Sequence, residues 1–192
     1  MEQNQITLRG TVRTPPEFSH ENHGRRFSRF LLETPRLSGA LDLLPVLAQE
    51  DMARFSPGDP LTVVGQIRSH NVRREDGRHL DIFVFASSLY PEPGEPLNQA
   101  ALEGELCREP TFRRTPLGRE ICDMMLAVPR AWHRADYLPC IAWGRTAQVL
   151  SEYHTGDPVS IRGRLQSRIY TKVTPEGPRE RTAYEISAMT GT

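Results

Sequence analysis

An all-β chain folded in two similar halves is predicted by three observations: an internal echo, short alternating apolar segments, and Gly/Pro punctuation between them. Asn98, Gln99, Leu102, Gly104, Pro110 and Phe112 repeat Asn4, Gln5, Leu8, Gly10, Pro16 and Phe18 at a spacing of 94. That spacing continues through Gly24/Gly118, Arg25/Arg119, Leu32/Leu126, Arg36/Arg130 and Pro45/Pro139. It then slips by four, so that Gly58-Asp59-Pro60 meets Gly156-Asp157-Pro158, Gly65 meets Gly163 and Ser69 meets Ser167. Solenoid repeats run about 20–50 residues, so a unit this long is a whole small domain.

Each half reads as strands in the same order. Ile6, Leu8 and Val12 alternate with polar residues, as do Leu102 and Leu106, and Gly10 and Gly104 sit where a bulge or sharp bend would break the row. Residues 27–34 and 121–128 are second strands, and residues 41–47 and 137–143 are thirds. Ala147, Leu150 and Tyr153 then recur at the spacing of one helical face, with residues 49–55 as the weaker first-half counterpart. Both segments stop at a Gly-Asp-Pro. Residues 60–69 and 158–167 are fourth strands, and a polar hairpin leads to the fifth at 80–86 and 183–188. Five short strands with one short helix between strands 3 and 4 is the order of an OB-fold barrel, so the expectation is two tandem five-stranded OB-fold barrels. A small sandwich is the rival, but it would have more strands and no helix in mid-domain. The expected division is a first domain over residues 1–90, a Pro-rich linker over 91–97 and a second domain over 98–192.

Composition bounds the function only loosely. The 192 residues carry 24 Lys plus Arg against 24 Asp plus Glu, so the net charge is zero. Residues 1–95 net −2 and residues 96–192 net +2, and Lys172 is the sole lysine. Arg offers a planar donor fork for phosphate and a flat face for bases, although genomic composition explains the bias equally well. Cys107, Cys122 and Cys140 show no metal-ligand spacing, which suggests reduced thiols. Polar residues follow Met1 and no apolar run approaches membrane-spanning length, so the expected location is cytoplasmic, with no membrane partner. Glu33, Asp42 and Asp81 form no acid–base pair, His133 and His154 lack a nucleophile, and no phosphate loop is present. The chain is therefore not expected to be an enzyme or to need a cofactor or metal.

The second half carries a longer pattern: Gly104-x-Leu106, Pro110, Arg114-Thr115-x-x-Gly118, Leu126-Ala127-Val128, Asp136-Tyr137-x-Pro139, Ala142-Trp143-Gly144-Arg145, Tyr153-x-x-Gly156-Asp157 and Gly163-Arg164-Leu165-Gln166-Ser167-Arg168-x-Tyr170. In this ordered set it resembles bacterial single-stranded DNA-binding proteins over nearly all of residues 98–189. Two such domains in one chain resemble the family's tandem type, in which a homodimer gathers four OB domains. The resemblance implies sequence-tolerant binding of single-stranded DNA in replication, recombination or repair, and hence association with the nucleoid. Its stacking positions fall on Trp132, Tyr137, Trp143 and Tyr170, with Arg130, Arg134, Arg164, Arg168 and Lys172 around them for phosphates. Trp143 and Tyr137 also admit a reading as packed barrel residues. Trp132, in a loop among Arg, His and Pro, has little core to enter.

The first half matches more loosely. Ser38, Leu43, Gln49 and Val72 stand where the second half has Trp132, Tyr137, Trp143 and Tyr170. Arg68, Arg73, Arg74 and Arg78 persist, so its expected part is structural, with a weaker stretch of groove. Members of the family usually end in an acidic tail that recruits partners, and the last residues here, Met189 to Thr192, are not acidic. Tail-dependent partners are thus not expected. Two alternatives remain at this stage: a primosome-type accessory OB protein, or an OB interaction or oligomerisation module with no nucleic-acid role.

Overall fold

A computed structural model describes residues 3–192. The first half contains β1 (Asn4–Val12), β2 (Glu17–Asn22), β3 (Arg25–Pro35), β4 (Leu41–Gln49), β5 (Pro60–Arg74) and β6 (Gly77–Tyr90). The second contains β7 (Leu97–Leu106), β8 (Thr111–Arg114), β9 (Glu120–Arg130), β10 (Arg134–Trp143), the helix α1 (Gly144–Leu150), β11 (Pro158–Thr174) and β12 (Gly177–Gly191).

In each half five strands pair in a ring. The order is β1–β3–β4–β6–β5 and back to β1, with β7–β9–β10–β12–β11 and back to β7 as its counterpart. Closing so small a ring needs sharp bends, and the repeated glycines supply them. A Cβ on Gly10 would lie 2.0 Å from the Glu33 carbonyl oxygen, and one on Gly104 would lie 2.3 Å from that of Ala127. Only glycine lets the first strand bend across the ring there. Inside sit Ile6, Leu8, Phe30, Leu32, Leu44 and Ile67 in one half, and Leu102, Met124, Leu126, Leu138, Leu165 and Ile186 in the other. Each such side chain contributes about 1.5–3 kcal/mol by leaving water.

Two expectations need correction. The five strands expected per half are joined by a sixth, β2 or β8, which forms a hairpin on the outside of β3 or β9. Every residue of β2 and β8 is exposed, so no apolar alternation marked them. The helix expected in the first half is also absent. Residues 50–55 make only tight turns, with Met52 N–H donating to the Gln49 carbonyl at 3.0 Å and Ala53 N–H to that of Glu50 at 3.2 Å. The four-residue slip between the copies falls here, and four residues are about one helical turn. Taking one turn from the seven residues of α1 leaves nothing to propagate. Ala147 and Leu150 bury the inner face of α1. In the first half Phe55 takes that place, edge-on to Phe30 at 4.7 Å between ring centres.

The halves meet as one continuous sheet. β1 pairs antiparallel with β7, Asn4 opposite Leu102, Ile6 opposite Ala100 and Leu8 opposite Asn98. Because the copies are offset by 94, this register maps onto itself about the Ile6–Ala100 pair, which places an internal pseudo-two-fold axis there. Residues 91–96 connect β6 to β7. The repeated Asn-Gln now has a physical reason. Asn4 Nδ2–H donates to the Ile67 carbonyl at 2.7 Å while its Oδ1 accepts the Ile67 N–H at 2.9 Å. Asn98 makes the same pair with Leu165, at 2.7 and 3.0 Å. Each asparagine thus mimics a peptide group and fixes the strand register next to the seam.

Candidate nucleic-acid interface

Side chains alternate across a strand, so residues two apart share a face. On β11 this puts Arg164, Gln166, Arg168, Tyr170 and Lys172 on one face, opposite Ser187, Glu185, Ala183, Arg181 and Arg179 of β12. Ser187 in turn lies beside Ile141 of β10. On β10 the same alternation aligns Ile141 with Tyr137, Pro139 and Trp143, while Leu138, Cys140 and Ala142 enter the core. The outer faces of β10, β12 and β11 are therefore one surface. It carries Tyr137, Trp143, Arg164, Arg168, Tyr170 and Lys172, six of the nine expected site residues.

Two of the aromatic residues on it are open to solvent, and Tyr170 is half-buried. Tyr137 is 45% exposed and Trp143 37% exposed, about 20 Å apart along the strand, so neither is plain barrel core. Tyr170 lies under the Arg168 guanidinium, 5.8 Å from its ring centre. Trp132 stands apart from the sheet, in the turn between β9 and β10, and is 90% exposed. Its φ of 65° and the 56° of His133 place both in the left-handed region, where a bulky residue is strained. A strained, exposed tryptophan contributes nothing to the core, so its presence calls for a functional reason.

The cations divide into free and engaged. Arg134 is exposed, and no ion pair within 4.0 Å is formed by it among the described residues. Arg168 lies 3.7 Å from Glu185. Lys172 and Arg181 both reach Asp76, at 3.3 Å each, across to the β5–β6 hairpin of the first half. Hydrogen bonds from His79 and then Lys172 hold the Asp76 carboxyl down to about 2. Arg130, which shares the inward parity of Leu126 and Val128 on β9, lies 3.8 Å from Asp136 at the seam between the halves.

A second set of aromatic residues escaped the sequence reading. The corresponding face of the first half lacks the four stacking positions, yet Phe83 and Phe85 of β6 stand on it, partly exposed, opposite Arg68 and Gln66 of β5. The Arg68 guanidinium is 5.0 Å from the Phe85 ring centre, and Arg29 is 5.8 Å from that of Phe83. His70 meets Phe83 edge-on at 6.1 Å. Residues 82–86 are apolar throughout, which reads as a strand buried on both faces. The signal that could have found them is the charge pattern, since Asp81 shares their parity and binds Arg29 through two bonds of 2.8 and 2.9 Å.

The fold and this surface define a class: an OB-fold protein whose sheet presents aromatic rings among guanidinium groups. Residues 97–190, within the second half, match the model of the single-strand binding protein family. It is 34% identical over 95 residues to a single-stranded DNA-binding protein of Oceanobacillus iheyensis, covering 46% of this chain and 56% of that one. It is 33% identical over 81 residues to single-stranded DNA-binding protein A of Bacillus subtilis, covering 38% of this chain and 47% of that one. The chain spans about half the length of the curated relatives it matches. The wild-type single-stranded DNA binding protein from Thermus aquaticus shares its fold across both halves, with a TM-score of 0.79 and 24% identity over 98% of this chain and 91% of that one.

Proposed function

We propose that the chain binds single-stranded DNA, as its relatives' names state of them, and that it does so without strong sequence preference in replication, recombination or repair at the nucleoid. One observation carries this reading: Tyr137, Trp143 and Tyr170 share a continuous sheet face with Arg164, Arg168 and Lys172, while Trp132 projects beside it. Unpaired bases present flat faces to any aromatic ring, worth about 1–3 kcal/mol per base, and the guanidinium groups meet the phosphates. Arg134 extends the cationic rim around Trp132.

The second half, residues 98–192, serves in this reading as the stronger station, and the first, residues 1–90, as framework and weaker station. Two chains would form a homodimer carrying four OB domains, along which one strand wraps and later contacts become intramolecular. Light scattering at micromolar concentration tests the assembly: twice 21.8 kDa is expected, and a mass equal to the monomer would remove the wrapped path.

Trp132 and Trp143 are the only tryptophans, so their emission reports on the site. Titration with oligo-dT is expected to quench it, and to do so at lower affinity as salt rises. Unchanged fluorescence at saturating oligonucleotide would overturn the stacking site.

A further inference from the structure

The internal two-fold builds the seam between the halves twice, and the two versions differ in how their carboxylate is paired. At one, the Asp42 carboxylate accepts the Ser167 N–H and hydroxyl, each at 2.8 Å. Arg36 closes it with donated bonds of 2.8 and 2.7 Å and gives a third, of 2.6 Å, to the Ser167 carbonyl. At the other, Asp136 accepts the Ser69 N–H at 3.0 Å, and the Ser69 hydroxyl oxygen accepts the Tyr137 N–H at 2.8 Å. The arginine equivalent to Arg36 is Arg130, which stays 3.8 Å from Asp136. Arg68 approaches the same carboxylate only to 3.9 Å. Neither distance is a hydrogen bond.

Two guanidinium groups therefore face one carboxylate at this seam, and neither is satisfied by it. Arg68 donates instead to the neutral Gln66 side chain, at 3.0 and 2.7 Å. The buried Nε of Arg130 has no hydrogen-bond partner among the described residues. At the closed seam the residue equivalent to Arg68 is Gln166, which is uncharged. The titrations move in opposite directions accordingly. Asp42 raises the Arg36 pKa, whereas burial and then the neighbouring Arg130 lower that of Arg68. A surplus positive charge held part-buried with spare donors gains most from an incoming anion.

What kind of anion follows from the surroundings. Both side chains are reachable, at 20% and 28% exposure. Tyr137 is tied to the seam through Ser69, and the Phe85 ring lies under Arg68 on the other side. We infer that Arg68 and Arg130 form a phosphodiester site that carries a single strand across the seam, from the Tyr137 platform to the Phe85 face of the first half. This rests on the reading of the chain as a single-strand binder, and it gives the first half a defined point of entry.

The test measures oligo-dT affinity of the full chain against salt, for the wild type, Arg68→Gln, Arg68→Lys and Arg36→Gln, each first checked for folding by circular dichroism. Removing one phosphate contact is expected to flatten the log–log slope by about 0.7 in Arg68→Gln. Arg68→Lys should restore it, and Arg36→Gln should leave it unchanged, with Arg36→Lys as the control if Arg36→Gln does not fold. Equal slopes in Arg68→Gln and Arg36→Gln, with the wild type binding normally, would overturn the seam site alone. A wild type that binds no oligonucleotide would overturn the proposed function and the seam site with it.

Discussion

Asp42 and Asp136 occupy equivalent places, each 1% exposed, and each meets a serine of the opposite half. The first is locked by an arginine; the second is watched by two arginines that do not bind it. The same contrast runs through the outer faces, where one half presents Tyr137, Trp143 and Tyr170 and the other Phe83 and Phe85. What stayed alike is what lets the chain meet itself: the register asparagines, the bending glycines and the seam serines. What diverged is charge and aromatic placement, which packing does not dictate.

Removing the two carboxylates is the strongest way to break this comparison. Asp42→Ala is expected to lose about 3 kcal/mol in urea unfolding, because Arg36 and Ser167 lose a shared buried partner. Asp136→Ala should lose less, since it forfeits one hydrogen bond of ordinary length and two loose ion pairs. Equal losses would mean that the seams are energetically alike.

The faces are compared through binding. Trp132→Ala should weaken oligo-dT binding by about 1–3 kcal/mol and leave the unfolding midpoint nearly unchanged, as the ring is exposed and its backbone strained. Phe83→Ala should weaken binding less, because Arg29 covers that ring and is itself held by Asp81. If the two variants lose the same affinity, the halves are equal stations.

Acid sharpens the seam comparison. Burial pushes the Asp42 carboxyl up, but the hydrogen bonds from Arg36 and Ser167 outweigh it and hold the group below its ordinary value. A depressed carboxylate stabilises fully above its unfolded value, about 3.9, and its contribution fades as pH falls through the lower folded value. The stability gap between wild type and Asp42→Asn should therefore be constant from pH 7 to about 5 and shrink below about 4. A gap that persists unchanged at pH 2 would contradict this.

The smallest effect is chemical. All three cysteines lie in the second half; Cys107 is exposed, and burial pushes the Cys122 thiol up to about 11 and that of Cys140 further. One thiol per chain should react with Ellman's reagent in the native protein. The other two should appear only on unfolding, reporting the second half alone. If they appear before the whole chain unfolds, the halves melt separately despite their shared sheet.

Much of this was legible in the sequence. The spacing of 94 gave the duplicated architecture, and alternation located the ring strands to within a few residues. The exposed strands β2 and β8 left no apolar trace, and the helix of the first half failed because a repeat suggested what one missing turn had removed. Trp132, Tyr137, Trp143 and Tyr170 came from the family resemblance, and the fold leaves the first three exposed. Arg130 was not readable as a seam residue, because its fate depends on Arg68 and Ser69 of β5, far away in the sequence, as well as on Asp136 of β10. Phe83 and Phe85 were hidden by neighbours as apolar as themselves.

The axis through Ile6 and Ala100 has a further consequence. A true homodimer repeats each residue at every equivalent place, so its two-fold looks the same from either end. A single strand of nucleic acid does not, since its backbone runs from 5′ to 3′. Joining both copies in one chain frees equivalent positions to differ, as Arg68 differs from Gln166. With one seam open and the other locked, a strand bound across the seam as proposed would not find the two directions interchangeable, and a scaffold without polarity would have acquired one.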